Sequence, residues 1–222
     1  MMNLDLLFTA SKISGDNKYK DIAVKHAITT MHNHFRPDYT SWHVVSYNND
    51  GTVEKKQTFQ GKNDDSAWAR GQAWGVYGYT ACYRETNDTV FLNFARNIAD
   101  MIMTRVQTED AIPYWDYDAP ATPETPRGAS AAAVTAAAML ELSTMVEDGQ
   151  KYFDYAEKIL KSLSSDAYLA KPGENQGFIL MHSTGSLPNG SEIDTPLNYA
   201  DYYYMEAMQR YMKLKNLTYQ NL

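Results

Sequence analysis

The chain has 222 residues, enough for one domain with a sizeable core or for part of a larger one. Its net charge of -7 and the absence of a basic stripe exclude a nucleic-acid backbone as partner, and no apolar run approaches the roughly 18 residues of a membrane span. The single cysteine, Cys82, cannot form an internal disulfide, and beside Ala81 and Tyr83 it reads as a small buried hydrophobe.

In chain order, helical spacing begins at once: Met1-Met2-Asn3-Leu4-Asp5-Leu6-Leu7-Phe8 has the character of a helix interior, with no cap or polar lead-in. This helix is predicted to reach residue 13. The turn Ser14-Gly15-Asp16-Asn17 follows, with a left-handed C-cap expected at Gly and an N-cap at Asp. The same arrangement recurs at Glu85-Thr86-Asn87-Asp88 and at Glu147-Asp148-Gly149-Gln150. After each turn an aromatic residue is followed four places on by an alanine: Tyr19 and Ala23, Phe91 and Ala95, Tyr152 and Ala156. That spacing places both on one helical face.

The helices before the turns are predicted over residues 1–13, 66–84, 129–146 and 196–214. They are rich in Ala, Gly, Trp and Tyr and poor in charge, as befits helices surrounded by protein. The post-turn helices carry Lys and Asp on one side and read as amphipathic and solvent-facing. An inner helix paired with an outer one, and the pair repeated, describes an all-α fold, an α/α toroid or solenoid. Long links, residues 36–63, 107–128 and 171–195, join each outer helix to the next inner one, and a binding surface is expected there. Short β segments are predicted within the first link, over residues 42–47 and 52–59.

The residues that carry chemistry cluster between Gln60 and Trp74, where Asp64, Asp65, Arg70, Gln60, Gln72, Trp68 and Trp74 stand at a loop-to-helix junction. Indoles beside fork-shaped donors suit a hydroxylated, partly anionic ligand such as a sugar acid. Asp64 and Asp65 read as an N-cap and first turn, with a substrate or general-acid role as the alternative. Arg70 and Trp74, four apart, share a helical face and are assigned to the ligand; Trp68, six residues before Trp74, is assigned to packing. A structural Arg70 paired with Asp64 or Asp65 is the competing reading. His43 either donates to sugar hydroxyls or is a structural histidine. Trp115 walls a sugar subsite or anchors its loop, and Ser183 and Ser186 lie in a polar loop. The tyrosines at 199 and 202–204 read as wedge packing. No phosphate loop, nucleophile elbow or metal-ligand cluster occurs, so neither cofactor nor metal is expected.

The blocks Gln60-Gly61, Asp64-Asp65-Ser66, Trp68-Ala69-Arg70-Gly71-Gln72-Ala73-Trp74, Pro113-Tyr114-Trp115-Asp116 and Ser130-Ala131-Ala132-Ala133 resemble glycoside hydrolase family 88, the unsaturated glucuronyl hydrolases. So does the stretch from Gly190 through Tyr203. The resemblance covers nearly the whole chain and implies an (α/α)6 six-hairpin toroid, of which residues 1–222 would be one partial domain lacking hairpins at the N-terminal side. It implies hydration of the Δ4,5 double bond of unsaturated uronic acids at the non-reducing end of lyase-generated glycosaminoglycan oligosaccharides, which would be the partner. An aspartic acid protonates C4, water adds at C5, and the hemiketal collapses, unlike the paired-carboxylate displacement of ordinary glycosidases. By the same resemblance His43, Gln60, Arg70 and Trp74 are substrate-pocket residues.

Three departures accompany it. The family's acid/base aspartate falls about two residues before Met1 and a second essential aspartate further upstream, so no catalytic residue is assigned within the chain and little activity is expected of it alone. Gly128 stands where an aspartate is expected, leaving that helix without a cap. In the loop at 183–188, where some members bind sulfate through serines and a lysine, Pro188 takes the lysine's place. Self-association through the toroid's open edge is also expected. The alternatives are an inverting six-hairpin glycosidase using Asp64 or Asp65 with Asp116 or Asp194, and a non-catalytic sugar- or protein-binding helical repeat.

Overall fold

A computed structural model describes residues 1–217. Its helices are α1 (Leu4–Ser14), α2 (Lys18–His34), α3 (Ala69–Thr86), α4 (Thr89–Arg105), α5 (Ala129–Leu142), α6 (Gln150–Leu163) and α7 (Asn198–Leu214). Two strands, β1 (Val44–Tyr47) and β2 (Val53–Gln57), form an antiparallel hairpin in the first link, with a bulge between Ser46 and Tyr47. The inner helices neighbour one another in the order α1, α3, α5, α7, and α2, α4 and α6 back them. This is the α/α-toroid arrangement.

The repeat read from the sequence is the seam between the layers. Ala23, Ala95 and Ala156 are all fully buried, as are Phe91 and Tyr152, whereas Tyr19 is only half-buried. On α6 the buried positions are Tyr152, Ala156, Ile159, Leu160 and Leu163, the stripe of a helix with one side in water. Helix α5 is the opposite case: every residue but Glu141 is buried. Its alanines are strong helix formers and small enough to admit α3, α6 and α7 around it.

Two of the three turns are built as expected. Gly15 and Asn87 adopt left-handed conformations and return their N–H groups to Ser11 and Tyr83, and the Asp88 carboxylate caps α4 by accepting from Val90 N. The third differs. Gly149 has φ -61° and stands at the start of α6. It is needed for closeness: a Cβ there would lie 1.9 Å from the Ser143 carbonyl oxygen. Asp148 caps nothing and instead pairs with Arg96 and Lys151. Cys82 is fully buried, and burial pushes its thiol up to about 12, as suits a packing residue.

Candidate functional site

A cavity of about 460 Å³ lies between α2, the hairpin and the start of α3. His26, Thr30 and His34 line it from α2, Ser41, Trp42 and His43 from the approach to β1, and Trp68, Gly71, Trp74 and Gly75 from α3 and its N-cap, with Phe35 and Met1 completing the wall. Among the described residues, no aspartate or glutamate lines it.

His43 is held by its own loop. Its Nδ1 accepts from the backbone N–H groups of Phe59 and Gln60, both at 3.1 Å, so the ring proton resides on Nε2. Burial, and then the Arg70 charge, pull its pKa down to about 4, and the imidazole is neutral at pH 7. The adjoining strand is fixed by Gln72, which is fully buried on α3. Its Oε1 accepts from Ser41 N, and its Nε2 donates to Ser41 Oγ and the Trp68 carbonyl.

Trp68, assigned from its spacing to packing, stands in the cavity wall with its ring 4.2 Å from that of His43. The helical-wheel argument does not reach it, because Trp68 is the N-cap of α3, with ψ 119°, and lies outside the helix. Trp74 lines the same cavity, half-buried against Tyr203 at 5.2 Å. Trp42, next to His43 and unassigned from the sequence, is a third indole in the wall. It carries the Arg36 guanidinium at 4.4 Å and the Lys56 ammonium at 3.8 Å from its ring centroid.

Arg70 and Gln60 stand behind this wall, outside the residues that line it. Arg70 is 6 % exposed and pairs with neither Asp64 nor Asp65. Its Nη1 donates to the Thr184 carbonyl at 2.6 Å, and its Nη2 donates to the Gly185 carbonyl at 2.8 Å and to Gln60 Oε1 at 3.3 Å. The fork is spent on protein oxygens and ties the third link to α3.

Asp64 and Asp65 do not cap α3, which begins at Ala69, three residues later than predicted. Asp64 Oδ1 accepts from Thr58 N, and Asp65 N donates to Asn63 Oδ1, so both serve the loop. The free N–H of Ala69 is taken by the Trp115 carbonyl. Trp115 is buried outside the cavity lining, and its backbone, joined also to Pro126, anchors the second link. Asp116 is fully buried, accepting from Lys62 N, Ser66 Oγ and Asp118 N. Asp194 bonds His182 Nδ1 away from the cavity. Neither Asp116 nor Asp194 lines the cavity.

Helix α5 does not lack a cap. Ser183, wholly buried, accepts from Ser130 N and supplies from the third link what Gly128 cannot. Ser186 Oγ accepts from Asn189 Nδ2, which also donates to the Phe59 carbonyl and so joins the third link to the first. Asp201, on the first turn of α7, accepts from Ile179 N and Leu180 N. Among the described residues, no cluster of His, Cys, Asp or Glu forms a metal site.

An arc of α/α hairpins with three indoles and a neutral histidine around a cavity at its loop end has the build of a carbohydrate-active enzyme. The sequence profile of Glycosyl Hydrolase Family 88 matches residues 1–215, and the chain belongs to that family. It is 48% identical over 216 residues to the unsaturated glucuronyl hydrolase of Formosa agariphila, covering 96% of this chain and 54% of that protein. The crystal structure of an unsaturated glucuronyl hydrolase specific for heparin superposes with a TM-score of 0.95 at 56% identity, covering 97% of this chain and 59% of the other. A second structure, of a mutant unsaturated glucuronyl hydrolase from Streptococcus agalactiae complexed with dGlcA-GalNAc6S, matches at 31% identity with a TM-score of 0.84, covering 94% of this chain and 56% of that one. The chain thus spans about half the length of the relatives it matches.

Proposed function

We propose that this chain forms the uronide-binding wall of an unsaturated glucuronyl hydrolase, acting on the Δ4,5-unsaturated uronic acid at the non-reducing end of glycosaminoglycan fragments. The observation that carries this is the cavity itself: His43, Trp42, Trp68 and Trp74 line it, positive groups lie against its indoles, and among the described residues no carboxylate lines it. The half-buried Trp74 offers its indole to a flattened sugar ring, while the Trp42 and Trp68 rings carry Arg36, Lys56, Arg70 and His43 against them. The His43 Nε2–H is a neutral donor for a hydroxyl or ring oxygen. Arg70 and Gln60 belong to the pocket as its backing, fixing the loops that shape it. Ser183, Ser186 and Trp115 hold those loops in place.

Hydration of an enol ether requires a carboxylic acid to protonate carbon and then activate water. With none in the lining, this wall supplies binding and orientation and leaves protonation to another group. The test is a titration of the chain with an unsaturated disaccharide, followed by tryptophan fluorescence, alongside the ultraviolet absorbance of the conjugated double bond. Saturable quenching with the absorbance unchanged is the expected result. No quenching overturns the uronide reading, and sustained loss of absorbance overturns the assignment of protonation to a group outside the wall.

A further inference from the structure

Among the described residues no carboxylate lines the cavity, and the most obvious cation beside it is already committed. Arg70 spends its fork on two carbonyls and Gln60, and Arg36 donates to Thr40 Oγ1 and to the carbonyls of Ser41, Asp64 and Ser66. The loop at 183–188 offers no cation, with its two buried serine oxygens already accepting hydrogen bonds and Pro188 without a donor. Lys56 is different. It sits half-buried on β2 opposite Val45, outside the residues that line the cavity but with its ammonium 3.8 Å from the ring centroid of Trp42, which does line it. His34, also in the lining, is tied to the same indole residue, its carbonyl accepting from Trp42 N at 2.8 Å. Among the described residues, no carboxylate forms an ion pair with it.

We infer that Lys56, with Trp42 and His34, forms a subsite at the hairpin side of the cavity that receives an oxyanion carried by the bound sugar. An ammonium held over an indole and left without a counterion gains most from a ligand oxyanion in a partly desolvated wall. The inference rests on the proposed uronide-binding function. Two groups have the required chemistry, the uronate carboxylate and a sulfate ester.

The experiment measures binding by tryptophan fluorescence at low ionic strength for the wild-type chain, Lys56→Gln and Lys56→Arg. The ligands are an unsulfated unsaturated disaccharide, its carboxyl methyl ester and an O-sulfated counterpart. A charge-assisted contact corresponds to a preference of roughly tenfold or more. If the subsite takes the carboxylate, the wild-type preference for acid over ester disappears in Lys56→Gln. If it takes sulfate, the preference for the sulfated sugar disappears and that for acid over ester stays. Lys56→Arg, which keeps the charge, retains the preference in either case. The inference is overturned if both preferences survive in Lys56→Gln, or if both variants lose them alike while melting as the wild type does. If the wild-type chain binds none of the three sugars, the uronide reading itself has failed and the subsite with it.

Discussion

Replacing Arg70 separates two roles that a guanidinium beside a sugar pocket can have. Its Nη1 and Nη2 reach the carbonyls of Thr184 and Gly185, more than a hundred positions along the chain, in a place where only 6 % of the residue meets solvent. Arg70→Met fills similar space and removes both donors. A buried acceptor left without a partner costs about 1–3 kcal/mol, so two of them cost about 2–6 kcal/mol. Against a typical domain stability of about 5–15 kcal/mol, that is a large share. Arg70→Lys keeps the charge but cannot fork to two carbonyls, and it falls between the two, at about 1–3 kcal/mol. Urea denaturation followed by circular dichroism reads the change, and limited proteolysis within residues 183–195 reports the loosened link. An Arg70→Met protein with an unchanged urea midpoint but no sugar binding would refute this account, making Arg70 a ligand contact rather than the anchor of a loop.

Other consequences are more local. Ser183→Ala removes the cap that the third link lends to α5 and is expected to lower stability by about 1 kcal/mol, read from the urea midpoint, while Ser186→Ala leaves α5 intact. Gly149→Ala forces a methyl group against the Ser143 carbonyl and is expected to cost about 1–3 kcal/mol, unlike Gly173→Ala, where a Cβ meets nothing within 4 Å and only the positive φ is strained. Acid weakens the fold through His34 and His43, both held down to about 4 by burial first and by neighbouring positive charge second. Above the ordinary value of 6.5 both are neutral folded or unfolded. As pH falls from 6.5 towards 4, the unfolded chain takes up protons that the folded one refuses, so stability is lost across that window. Thermal melts of His43→Gln are expected to show a shallower acid loss than wild type over the same range.

Much of the fold is legible because its signals are local. Buried Ala23, Ala95 and Ala156 mark three outer helices by spacing alone, and the alanine run of α5 announces a helix enclosed by others. The hairpin lies within the segments read from Trp42 and Thr52. The site was less legible where side chains act outside regular structure. A helical wheel assigns Trp68 to packing, and it is buried against His43 and Arg70, but from the N-cap it also lines the cavity. Asp64 and Asp65 have the composition of a helix start, yet the Asp64 carboxylate braces a loop that Asp65 joins through its backbone N–H, and the Trp115 carbonyl takes the Ala69 N–H. Trp42 precedes β1 and Lys56 sits on β2, and nothing in either segment shows that they meet until the hairpin forms.

The sequence by itself determined the helical pairs, their inner and outer layers, the long links and the family, since periodicity, turn chemistry and motif blocks are carried within a few residues of one another. Only the tertiary structure decided what the polar residues of those links do. Ser41 meets Gln72 31 positions away, Ser66 meets Asp116 50 away, and Arg70 meets Thr184 114 away. A buried donor takes whichever acceptor the folded chain brings within about 3 Å, and that proximity belongs to the packed helices rather than to any one segment.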